Sequence, residues 1–167
     1  GRKQWISTLI NAYKGLRLIL DVAENNPELV DAQLPIGIVE YYASLSPGLI
    51  RWGVGLMGME VNREAALFKI EKAASQGEYS AIEAQKIFVY ISLWIEGNPK
   101  PALKYSRNLK ENFPNNYFFG ILLLEGLIQA GNDREAEILF DTLEEEFKFL
   151  TQIQQGWYFS YYRYELA

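Results

Sequence analysis

Residues 83–116 read EAQKIFVYISLWIEGNPKPALKYSRNLKENFPNN, and residues 117–150 read YFFGILLLEGLIQAGNDREAEILFDTLEEEFKFL. Set one under the other, the two stretches fall into register. Gly97 lies over Gly131, Ala102 over Ala136 and Leu109 over Leu143, while Val89 and Leu93 lie over Leu123 and Leu127. Every offset is 34 residues. A fixed period of this size marks stacked supersecondary units, each of which needs a neighbour to bury its apolar face.

Each copy is written as a helical hairpin. In the first, apolar residues at helical spacing run to Gly97, Asn98-Pro99 turns the chain, and a second helix carries Ala102 and Leu109 before Pro114. In the second, Leu123 and Leu127 lead to Gly131, and Ala136, Phe140 and Leu143 follow. These residues resemble the tetratricopeptide repeat, a helix-turn-helix unit of about 34 residues. The pattern departs from the family at Tyr90 and Leu124, where a small residue is usual, at Ser106, where an aromatic is usual, and at Lys148, where the closing proline would stand. The resemblance covers residues 83–150 well and the remainder loosely.

Outward from this core the same grammar continues. Trp5 to Glu24 shows Leu9, Tyr13, Leu16 and Leu20 at helical spacing, closed by Asn26-Pro27. Leu29 to Ser44 reads as a helix that starts near Leu34 or kinks at Pro35. Ser46-Pro47 signals a new start, and the glycine-rich stretch to Met59 reads as a short packed insert. Asn62 caps a helix carrying Ala66, Ile70 and Ala73. Ser80 with Glu83 spells a capping box, as does Asn132 with Glu135 for a later helix. From Thr151 a last helix carries Trp157, Tyr158, Tyr161 and Tyr164. Nothing alternates with period two, so no strand is expected.

The fold expected is therefore all-α: about nine helices in a right-handed α-solenoid of antiparallel hairpins. It forms one domain over residues 1–167. Within it lie a divergent repeat with its insert over about 30–82, regular repeats at 83–116 and 117–150, and a C-terminal helix at 151–167. The aromatic last helix carries no polar cap, and solenoids need polar outer faces on their end units. We therefore expect the array to continue in a longer chain.

Composition bounds the chemistry. Apolar residues make up 49% of the chain, enough for a core. Acidic residues outnumber basic ones 21 to 16, a net charge of −5, which disfavours a nucleic-acid backbone as partner. There is no cysteine and no histidine, so common zinc sites, Ser-His triads and Cys-His dyads are excluded. No apolar run is long enough for a membrane span, and no signal segment is visible. The expectation is a soluble chain of cytoplasm or bacterial periplasm, with the compartment undetermined.

Two motifs are weighed and set aside. Gly53-Val54-Gly55-Leu56-Met57-Gly58 spells G-x-G-x-x-G, but a dinucleotide fingerprint needs a strand before it and a βαβ unit around it. Glycines letting the insert approach its neighbours closely is the simpler account. Asp141, Glu144, Glu145 and Glu146 cluster on one helix opposite Phe140, Leu143 and Phe147, which is the pattern of a solvated face.

The resemblance implies a concave groove lined by first-helix residues. Carried onto this chain, it gives Ile87, Ile91 and Trp94 from the first copy and Phe118, Ile121 and Glu125 from the second. The last helix adds Phe159, Tyr162 and Arg163, and an early helix adds Tyr41 and Tyr42. Ile87 and Ile91 replace the basic and amide residues of carboxylate-clamping relatives. An apolar groove suits a hydrophobic peptide or an amphipathic helix. The function expected is a non-enzymatic scaffold for a protein or peptide, with no catalytic residue, metal or cofactor. The alternative is self-assembly, with the groove filled by this chain or a second copy. A carboxylate-based helical enzyme is the remote third reading.

Overall fold

The computed structural model describes the backbone of residues 2–165 and the side chains of residue 7 and of residues 11–158. The described residues form nine α-helices and no strand. In chain order they are α1 (Arg2–Asn25), α2 (Gln33–Leu45), α3 (Gly48–Leu56), α4 (Arg63–Gln76), α5 (Ala81–Tyr90), α6 (Pro99–Asn112), α7 (Tyr117–Gln129), α8 (Asp133–Lys148) and α9 (Gln152–Glu165). A 3-10 turn, Val30–Ala32, precedes α2, and a π turn, Ile91–Ile95, extends α5. Pro35 therefore sits in the first turn of α2, where no intrahelical N–H is lost. The chain divides into two compact units, residues 1–85 and 86–167, and the division falls inside α5.

In the first unit α2 packs on α4. Gly37 permits the approach: a Cβ there would lie 2.9 Å from the Ala66 carbonyl oxygen and 2.9 Å from the Ile70 side chain. Tyr41, Ala66, Ile70, Ala73 and Ala74 are buried in this unit. Glu40 is buried with them and is satisfied on both oxygens. Oε1 accepts from the Glu60 N–H at 2.9 Å, and Oε2 accepts from Lys69 Nζ. A buried carboxylate persists only with partners of this kind.

Asp31 ties the loop after α4 to the turn before α2. Its carboxylate accepts the backbone N–H groups of Glu78 at 3.1 Å, Tyr79 at 2.9 Å and Ser80 at 2.6 Å. Burial pushes the Asp31 carboxyl upward, but the bonds from Ser80, Glu78 and Tyr79 outweigh it and hold it well below the usual carboxylate range. The Ser80 N–H that a local capping box would offer to Glu83 thus goes to a carboxylate far back in the sequence.

The insert differs from expectation. It is helical, as α3, but no residue of that helix is buried, and only Met59 beyond its end is. Among the described residues no atom lies within contact range of a Cβ built on Gly53, Gly55 or Gly58, so no close approach is seen at these glycines. Ser46 does not start α3 either: its Oγ donates to the Tyr42 carbonyl and closes α2.

In the second unit α7 lies against α6 on one side and α8 on the other. It is apolar almost all round, and ten of its thirteen residues are buried, the pattern of an interior helix. Gly126 faces Leu103 of α6, and Gly120 faces Leu143 of α8. Ala102, Leu109, Ala136 and Leu143, which repeat at one offset in the sequence, are all buried. Each buried leucine contributes roughly 1.5–3 kcal/mol. Arg107 of α6 grips Glu135 of α8 bidentately, with Nη2 to Oε2 at 2.7 Å. The bond to Glu135 raises the Arg107 guanidinium, and the same bond lowers the Glu135 carboxyl. Both side chains are more than a third exposed, so the pair orients the helices more than it stabilises them. Asn132 makes no side-chain cap bond to α8.

Candidate functional site

The π turn after α5 and the helix α7 are each followed by a glycine in the left-handed region, Gly97 at φ 59° and Gly131 at φ 69°. Behind Gly131 the bonds are those of an ordinary Schellman end, with the Asn132 N–H donating to Leu127 at 2.9 Å and the Gly131 N–H donating to Ile128 at 3.0 Å. Behind Gly97 the ladder is one residue wider. The Asn98 N–H reaches back to Ser92 at 2.8 Å, and the Glu96 N–H reaches Ile91 at 2.9 Å. Hydrogen bonding therefore sets Ser92, and not Leu93, against Leu127. One extra residue is accommodated in the π turn Ile91–Ile95, the sort of local widening often found at functional positions.

Trp94 stands on that turn. Its ring meets Tyr90 at 5.1 Å between centroids with an interplanar angle of 38°. Tyr90 is 49% exposed and Trp94 37%. Two large rings are thus held against each other at the surface, which limits the rotamer freedom either would lose on contact with a partner.

The other expected site residues are placed variously. Ile91, Ile121 and Glu125 are buried, and Ile87 and Phe118 are half-buried. Ile121 belongs to the apolar cluster around Leu124, Leu127 and Leu143. Glu125 Oε1 accepts from Gln129 Nε2 at 2.6 Å. Phe118 packs near Phe119, 6.5 Å between ring centroids. Tyr41 is fully buried and Tyr42 exposed, both on α2 of the first unit. The side chains of Phe159, Tyr162 and Arg163 lie outside the described residues.

In the repeat pattern Tyr90 is only a departure from the small residue usual there. Its spacing of four from Trp94 was the available signal, since such residues are neighbours on a helix face. Among the described residues no three Asp or Glu side chains gather as a metal site would require. No described helix is long and apolar enough to cross a membrane. No protein-family model, no curated protein and no solved structure matches the chain.

Proposed function

We propose that the chain is a tetratricopeptide-like helical-repeat scaffold, non-enzymatic, which binds a protein or peptide through the surface around Trp94. The observation that carries this reading is the exposed Tyr90–Trp94 ring pair on the π turn. Aromatic anchors supply most of the affinity at protein interfaces, chiefly where they are rigid before contact. Here the hairpin framework and the Gly97 end fix the backbone, and Tyr90 fixes the indole. The half-buried Ile87 and Phe118 belong to the same reading as apolar residues of the expected groove.

A photo-crosslinking residue at position 90 tests it. Irradiation in the native cell extract is expected to trap one distinct polypeptide at position 90 and none at the exposed Glu137 of α8. Equal labelling at both positions overturns the reading.

Self-assembly is the second reading, favoured by α3. Leu49 is 78% exposed, Trp52 64% and Leu56 68%, and they fall on one stripe of that helix. Single exposed apolar residues are ordinary, but a contiguous stripe marks an interaction surface. A crosslinked product of twice the chain mass would favour it.

A further inference from the structure

A cavity of about 560 Å³ opens where the α6–α7 loop meets the start of α9, within the second unit. Its size is that of small-molecule sites. The wall has an unusual chemistry. Four amide residues line it, Asn112, Asn115, Asn116 and Gln154, together with Phe113, Tyr117 and Tyr158, and among the described residues no lining residue is charged.

The amides are partly oriented in advance. Gln154 Oε1 is held by the Thr151 N–H at 3.0 Å and by Thr151 Oγ1 at 2.9 Å, which leaves its Nε2 as the group to offer. Asn112 is the converse. Its Nδ2 donates to the Asn108 carbonyl at 2.8 Å, which leaves Oδ1 to accept. Asn116 makes no side-chain bond at the α7 cap. The loop itself is pinned: Lys110 Nζ donates to the Pro114 carbonyl at 2.9 Å and to both Glu146 oxygens at 3.0 Å. The Lys110 ammonium beside the loop is thus already paired with a carboxylate.

We propose that this cavity is a binding site for a neutral polyhydroxylated ring, a mono- or disaccharide. A sugar hydroxyl both donates and accepts, and it is matched by side chains that supply one donor here and one acceptor there. Its C–H faces would lie against the exposed Phe113 and the half-buried Tyr158, whose ring is held by packing on the buried Tyr117 at 5.1 Å between centroids. An anionic or cationic ligand would find no counter-charge among the described lining residues. The site is separate from the Trp94 surface, and neither depends on the other.

The test titrates the intact chain calorimetrically with glucose, galactose, N-acetylglucosamine, maltose and chitobiose, and with glucose 6-phosphate as the charged comparison. At least one neutral sugar is expected to bind saturably below about 10 mM, and more tightly than the phosphate. Asn115→Ala removes an exposed loop amide, and Asn112→Ala removes the accepting one. Either variant, once circular dichroism shows it folded, is expected to weaken binding about tenfold. Absence of saturable binding across the panel overturns the proposal. So does tighter binding of the phosphate, or a Kd unchanged in both folded variants.

Discussion

The Asp31 carboxylate holds the backbone N–H of Ser80 at 2.6 Å across 49 positions of sequence. With Glu78 and Tyr79 bonded to the same group, it fixes the exit of α4 and the entry of α5 together. Asp31→Ala leaves three N–H groups without this acceptor and is expected to cost about 2 kcal/mol. A thermal melt checks it, since a change of that size lowers the midpoint by several degrees.

The same group sets an acid sensitivity. The folded state holds the Asp31 carboxyl below its unfolded value, so its contribution is complete above the ordinary carboxylate range and is lost as pH falls through and below it. Urea midpoints are expected to fall between about pH 5 and pH 2. Asp31→Asn should flatten part of that fall, because the amide does not titrate.

Gly37 of α2 lies against Ala66 and Ile70 of α4. The Cβ of Gly37→Ala would press on the Ala66 carbonyl, which as backbone cannot move aside cheaply. Overpacking of this kind costs about 1–3 kcal/mol. Gly48→Ala, where nothing lies within contact range, should be free of that penalty, and denaturant midpoints of the two variants separate the effects.

The buried repeat positions predict a cavity effect. Leu143→Ala in α8 removes the side chain that faces Gly120 of α7, at an expected cost of about 2–5 kcal/mol. Ile138→Ala, on the exposed face of the same helix, is expected to cost under about 0.5 kcal/mol. Chemical denaturation of the two variants measures the difference directly.

The helices were legible because their signals are local. Gly97 and Gly131 end helices as their left-handed φ requires, and Asn62 caps α4 by accepting from the Ala65 N–H at 3.0 Å. Ser46 failed to a local competitor, the Tyr42 carbonyl, and the other two caps to distant ones. Asp31 takes the Ser80 N–H, and Arg107 takes the Glu135 carboxylate that a local box would have used. The π turn left no mark in the sequence, because the wider ladder needs no special residue. The burial of Ile121 and Glu125 was equally hidden: α7 is apolar on nearly every side, so its pattern does not say which face is covered. The cavity at the α6–α7 loop joins Asn112 to Gln154, residues that no local motif connects.

The central claim rests on Trp94 as a surface anchor, and one affinity measurement addresses it. The polypeptide trapped at position 90 is purified, and its Kd is measured against the native chain and Trp94→Ala. Loss of the indole is expected to weaken binding by about tenfold or more, with the far-ultraviolet circular dichroism and the melting temperature unchanged. Equal affinity in a folded variant, or unfolding on loss of this single side chain, would contradict the account.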